Sequence, residues 1–349
     1  MKKKKIKIAF VDFWEHWNPQ DNFIVDVLRE KYDIEISNKP DYVFFSNFNP
    51  FMEHMKYQSC VKIFYTQENL CPDFNLADYG IGFDYINFAD RYLRFPICFI
   101  PKRYGLAWKA MQQKHILIQE ETDSKRAFCS FVVSNDKASP IRKEAFEKLS
   151  VYKKVDSGGR YLNNVGMPNG VPDKLEFENK HKFSICFENS NHPGYMTEKI
   201  VEAFAARTIP IYWGDPLVTE IFNKDAFINV NDFSSVDEMV EYVKKIDQDE
   251  TLYMKMLRTP ALNFTKEHLW EEKQNDLKEF LYNIFDQSIE NANRRNRLFW
   301  GNLYWENYYK MRRGYVIIHD NPISRLFRKS WNKAKFFASN KLCRGNNVI

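Results

Sequence analysis

The chain has 349 residues with 51 Lys and Arg against 46 Asp and Glu, and that length exceeds what one hydrophobic core usually organises. Six irregularly spaced cysteines exclude a disulfide framework, no stretch reaches the roughly 18 apolar residues of a membrane span, and seven scattered His without HxxxH or HExxH offer no metal site. With 30 Phe, 19 Tyr and 8 Trp there is material for two cores and for stacking on sugar faces.

The opening MKKKKIKIAFVDFW starts like a leader peptide, but Asp12 and Glu15 interrupt its apolar part, so it reads as a first strand over 6–13. Trp14, His16 and Trp17 follow that strand, either as rings for an acceptor sugar or as core. A helix over about 21–30 and strands over 34–36, 42–45 and 61–65 give the rhythm of a doubly wound domain. Glu68 lies just beyond the last strand, at the C-terminal end where a cleft would open; such a residue is ordinarily a solvated loop side chain. The polar stretch 113–125 reads as an interdomain connection, and a second α/β domain starts at 128–133. The expected domains are 1–120, 126–290 and a C-terminal extension, 291–349.

Ser139 and Pro140 read as N-cap and first residue of a helix, which puts Arg142 in the first turn, against the helix dipole. Either it is exposed at little cost, or its guanidinium grips a phosphate with two parallel hydrogen bonds. The densest chemistry lies in FSICFENSNHPGYMTEKIVEAFAARTIPIYWGDP, residues 183–216, a strand, polar loop, helix and strand. The helix begins near Thr197, so Glu198 and Lys199 occupy its first turn, where unpaired N–H groups and partial positive charge suit a diphosphate. Gly194 would let the loop approach a ligand closely. A Glu–Lys pair alone would more simply be a solvated ion pair; the crowding of Glu188, Asn189, Tyr195 and their neighbours at a strand end favours a site. Asp247-Gln248-Asp249 has the DxD form of metal-dependent sugar transferases, yet it sits between two helical patterns and reads as an acidic turn.

The run FENSNHPGYMTEKI with IPIYWG resembles the donor-binding motif of the α-1,3-fucosyltransferases, glycosyltransferase family 10. FYTQENLCPDFNLADYGIGFD (64–84), DRYLRFP (90–96) and SFVVSNDKASPIRKEAFEKL (130–149) resemble successive blocks of bacterial members, so the likeness spans residues 1 to about 290. It implies the GT-B architecture, two Rossmann-like domains facing across a cleft. It also implies inverting transfer of fucose from GDP-β-L-fucose, without cofactor or essential metal, to a hydroxyl such as O3 of N-acetylglucosamine in an N-acetyllactosamine-type glycan. By the matching blocks Glu68 is the general base and Arg142 the anion clamp. In the implied reaction Arg142, Lys199, Tyr195 and Asn189 would stabilise the departing diphosphate, and Glu198, a carboxylate beside phosphates, is better suited to accepting hydrogen bonds from ribose or fucose hydroxyls.

Residues 321–349 carry seven Lys and Arg and no acid, with Leu326, Phe327 and Trp331 on one helical face. This basic amphipathic helix suits an anionic membrane surface, or packs on the fold with a solvated basic face. The Golgi-type N-terminal anchor is missing, so the expected location is cytoplasmic, peripheral on the inner face of a bacterial membrane. A nucleic-acid binder would explain the tail alone, and another nucleotide sugar is the nearer alternative.

Overall fold

The computed structural model describes residues 3–49, 51–117, 127–295, 298–319 and 324. Six parallel strands form the first sheet: β1 (Lys5–Val11), β2 (Asp33–Ile36), β3 (Tyr42–Phe45), β4 (Val61–Tyr65), β5 (Tyr79–Gly82) and β6 (Tyr92–Arg94), in the order β2-β1-β3-β4-β5-β6. All residues of β3 and β4 are buried, as expected of parallel strands covered on both faces. β5 is YGIG, and a Cβ on Gly80 would lie 2.7 Å from the Pro72 ring, so the strand needs the residue that hides it from an apolar pattern. Helix α1 (Phe23–Lys31) starts where the Asn22 side chain accepts the Val25 N–H.

Helix α2 (Pro101–Leu117) leads out of this sheet, so 113–117 of the expected connection close a helix and the rest of it lies outside the described residues. The second sheet has the order β11-β10-β9-β7-β8 and is also parallel throughout. Its strands are β7 (Ala127–Phe131), β8 (Val155–Ser157), β9 (His181–Phe187), β10 (Ile209–Trp213) and β11 (Ile228–Asn229). Around it lie α3 (Ile141–Tyr152), α4 (Lys174–Asn179), α5 (Glu198–Ala205), α6 (Val236–Gln248) and α7 (Glu250–Arg258). Val240, Val243, Tyr253 and Leu257 of the last two enter the second core.

After α7 the chain goes back. Leu277, Leu281, Ile284 and Phe285 of α8 (Leu269–Asp286) join the first core, with the Phe285 ring 4.3 Å from Tyr42. After α9 (Ile289–Ala292), Arg295 binds Asp78 through Nε at 2.7 Å, and α10 (Leu298–His319) lays Trp305 5.7 Å from the Lys62 ammonium of β4. Helices on both sides of the expected boundary at 290 thus pack on the first sheet. The basic helix expected at 321–349 lies outside the described residues, apart from Ser324.

The C-terminal edges of the two sheets meet. Asn69 donates to Ser190 Oγ at 2.6 Å, His192 contacts Asp84 at 3.0 Å, and the Phe83 and Tyr195 rings pack edge to face at 5.0 Å. Two Rossmann-like domains facing across this seam make the GT-B fold.

Candidate active site

The second-domain half of the site is the segment from the end of β9 into α5. Thr197 is the N-cap, as the sequence predicts, but its own side chain caps nothing. The fully buried Glu188 carboxylate fills the helix mouth instead, accepting the Thr197 N–H at 2.8 Å, the Thr197 hydroxyl at 2.7 Å and the Lys199 ammonium at 2.9 Å. Of the N–H groups expected to be unpaired at this helix start, that of Thr197 already has an anion.

Lys199 also lies 3.5 Å from Glu198. Burial opposes its charge, but Glu188 and Glu198 more than compensate and hold its pKa above the ordinary lysine value. Burial likewise opposes ionisation of Glu198, and Lys199 with Lys174 brings it down to about 2. Both side chains are therefore charged at neutral pH, and the lysine is locked in place.

Arg142 comes to the same mouth from α3. The helix starts one residue later than expected: Pro140 is the N-cap, and Ser139 uses its N–H on the Asn189 carbonyl at 2.9 Å rather than capping with its hydroxyl. That bond ties the start of α3 to the end of β9. Arg142 is only 2% exposed, so the solvated alternative is wrong. Its Nη2 donates to the Phe187 carbonyl at 2.9 Å and to Asn189 Oδ1 at 2.7 Å, while Nε and Nη1, both buried, have no partner among the described residues. A buried guanidinium with free donors is costly unless something anionic comes to it.

Tyr195 is buried against Phe83, and burial followed by Glu188 raises its phenol well above the ordinary value, so it stays a donor. Gly194 has φ +87°, and a Cβ there would stand 2.5 Å from the Phe83 carbonyl. The close approach it permits is thus to the first domain's backbone. Asp215, which the sequence reading did not single out, holds this turn by accepting the Gly194 N–H at 2.8 Å. Glu188 was noted only as one member of a crowd, since its partners Thr197 and Lys199 are brought to it by the fold.

From the first domain, Glu68 stands exposed just past β4. Its N–H donates to Thr66 Oγ1 at 3.2 Å, and its carboxylate is near enough to add to the pressure on the Tyr195 phenol. The fold thereby brings Glu68, Asn189, Tyr195, Glu198, Lys199 and Arg142 to one seam. Trp14 and Trp17 are half-buried and pack on each other at 4.9 Å, Trp17 stacks on Phe13 at 4.3 Å, and His16 is exposed. This cluster reaches the end of β4, with Trp17 6.3 Å from Tyr65. Asp247 receives Tyr152 at 3.0 Å and Lys182 at 3.1 Å, and Asp249 caps α7 through the Leu252 N–H. Among the described residues no group of three or more His, Cys, Asp or Glu is arranged to hold a metal ion.

Comparison with known proteins meets this geometry from outside. The profile described as Alpha-(1,3)-fucosyltransferase FucT N-terminal domain matches residues 8–100, and that of Glycosyltransferase family 10 (fucosyltransferase) C-term matches 122–294. The Alpha-(1,3)-fucosyltransferase FucT of Helicobacter pylori is 35% identical over 292 residues, 74% of this chain; the chain spans 60% of that relative's length. A human 3-galactosyl-N-acetylglucosaminide 4-alpha-L-fucosyltransferase is 32% identical over 39% of this chain and 37% of its own. A crystal structure of an α1,3-fucosyltransferase with GDP-fucose is 31% identical, with a TM-score of 0.66 over 80% of this chain and 91% of that one. Fold, seam and sequence agree: the chain belongs to glycosyltransferase family 10, the fucosyltransferases.

Proposed function

We propose that the chain is an inverting α-1,3-fucosyltransferase that moves L-fucose from GDP-β-L-fucose to O3 of N-acetylglucosamine in an N-acetyllactosamine-type glycan, as in Lewis-antigen or O-antigen assembly. The observation that carries this is Arg142, a buried guanidinium with two unpartnered N–H donors at the strand end that faces Glu68 across the seam. The donor diphosphate lies along Arg142, Lys199, Tyr195 and Asn189, and Glu198 takes hydroxyls of the sugar or ribose. As the acceptor oxygen bonds to the anomeric carbon from the face opposite the diphosphate, Glu68 takes its proton and GDP leaves with the bonding electron pair. Positive charge gathers on the sugar ring and negative charge on the diphosphate, where fixed donors stabilise it, each by about 3 kcal/mol. Trp14, His16 and Trp17 stand on the acceptor side. The site calls for no cofactor beyond the donor and for no nucleic acid.

Among the described residues no helix is long and apolar enough to cross a membrane. Leu298, Phe299 and Trp300 at the start of α10 are exposed, and the basic segment 321–349 follows that helix, which supports peripheral attachment at the cytoplasmic face. The deciding experiment is incubation of the purified chain with GDP-fucose, with and without EDTA, and with N-acetyllactosamine, its type 1 isomer and lactose, followed by linkage analysis. Fucose on O3 of N-acetylglucosamine, with EDTA present, is the expected product. No transfer to any of the three overturns the proposal.

A further inference from the structure

A second site lies next to the first. On the face of the first sheet that carries Val43 and Phe45, away from the one Phe285 covers, the ends of β3 and β4 and helix α10 line a half-open cavity of about 250 Å³. Phe45, Phe64 and His54 line it from the sheet side, and Tyr308 and Arg312 from α10.

His54 is 3% exposed and stacks on Phe45 at 4.1 Å. Its Nδ1 lies 2.6 Å from the Asp12 carboxylate, which also accepts the N–H groups of Glu53 and His54 at 2.8 and 3.0 Å. With Asp12 accepting from all three, Nδ1 carries the imidazole proton and Nε2 presents a bare lone pair. Burial, only partly opposed by Asp12, lowers the pKa of the ring and keeps it neutral. That Nε2 is buried without a partner among the described residues, and so is Nε of Arg312. Two residues that line the cavity thus carry one unsatisfied acceptor and one unsatisfied donor beside aromatic walls. Its charges, Asp73 and Arg312, cancel.

A bare acceptor calls for a hydroxyl, a buried N–H for an oxygen, and aromatic faces for C–H surface. An uncharged sugar ring has all three. The volume is below the roughly 300–1,000 Å³ of sites for drug-sized ligands, which limits the occupant to about one ring. Position names the ring: Asn47 lines the cavity and accepts from Thr66 Oγ1 at 2.5 Å, and the same oxygen receives the Glu68 N–H.

We infer that this cavity seats one uncharged sugar unit of the acceptor, adjacent to the unit that Glu68 activates, with His54 Nε2 accepting a hydroxyl and Arg312 donating to an oxygen. The inference rests on the transferase reading of the neighbouring seam.

The test compares N-acetylglucosamine with N-acetyllactosamine as acceptors for wild type, His54→Phe and Arg312→Met. Both variants should raise KM for the disaccharide at least tenfold, with the monosaccharide KM, the GDP-fucose KM and GDP-fucose hydrolysis without acceptor nearly unchanged. Equal effects on both acceptors, or none, overturn the inference. Arg312 lies on a partly exposed helix, so Arg312→Met carries the test if His54→Phe fails to fold. The exposed Cys71 also lines the cavity and gives a readout that needs no turnover. N-acetyllactosamine should slow its alkylation by iodoacetamide in wild type and less so in Arg312→Met. Protection without transfer supports the cavity and sinks the transferase reading alone, whereas transfer without protection overturns the cavity.

Discussion

Replacing Arg142 by Met keeps the apolar stem of the side chain and removes its guanidinium, with the charge and five donors. In the free protein Nη2 is occupied by Phe187 and Asn189, so only Nε and Nη1 remain for a ligand. A hydrogen bond from a charged donor is worth about 1.5–3 kcal/mol, and two to phosphate oxygens give about 3–6 kcal/mol, a loss of roughly a hundred- to ten-thousand-fold. GDP affinity measured by calorimetry should fall by about a hundredfold, and kcat/KM for GDP-fucose by more, because the leaving diphosphate gains charge on the way to the transition state. Arg142→Lys restores the charge without the fork and should recover only a small part of either loss. Thermal unfolding without ligand separates a binding defect from a folding one. GDP binding within about threefold of wild type in a folded Arg142→Met protein would refute the clamp, and the unpartnered donors would then need another explanation.

Glu68→Gln should leave GDP-fucose binding intact while lowering turnover by about two to four orders of magnitude, as read from separate binding and rate measurements; near-normal turnover removes it from the mechanism. Lys62, fully buried and without a hydrogen-bond partner among the described residues, is pulled by burial from 10.5 to about 7. Between those values the unfolded chain binds a proton that the folded chain does not, so stability should rise as pH goes from 7 toward 10. Lys62→Met should therefore stabilise the protein at pH 7, by up to about 4 kcal/mol, with the gain fading near pH 10.5; denaturant unfolding at both pH values checks it, and a constant gain contradicts it. Deleting 321–349 should abolish salt-sensitive sedimentation with anionic vesicles and spare turnover of soluble acceptors, since each of seven basic residues near such a surface contributes about 1 kcal/mol. Loss of turnover on soluble acceptors would make the segment part of the fold.

Legibility in the sequence followed the range of the forces involved. β3 and β4 have the predicted bounds because apolar runs and their flanking turns are local. β5 escaped because Gly80 answers to Pro72 and not to its own strand, and β6 is three residues long. Four of the residues proposed for the donor, Asn189, Tyr195, Glu198 and Lys199, lie in one contiguous motif, yet nothing in that motif says that Glu188 would occupy the helix mouth. Arg142 stood open between exposed and buried because burial depends on the bond from Ser139 to Asn189, made across different elements. The apolar stripe of α8 carries no label for the core it enters, and residue order alone would assign it to the wrong one.

The return of α8 has a consequence for biogenesis. Phe285 seals Tyr42 and Phe44, residues synthesised some 240 positions earlier, so the first sheet emerges from the ribosome with one face incomplete. The face of the second sheet that α6 and α7 cover packs residues between 128 and 257, all of which emerge before α8, while its α5 face shares one core with the first sheet and α8. During vectorial synthesis the α6–α7 face of the second sheet can therefore pack first, while the lobe that begins the chain waits with exposed aromatic strands for its lid. That interval is when a chaperone would find its surface, and truncations between 260 and 290 should aggregate through the N-terminal lobe.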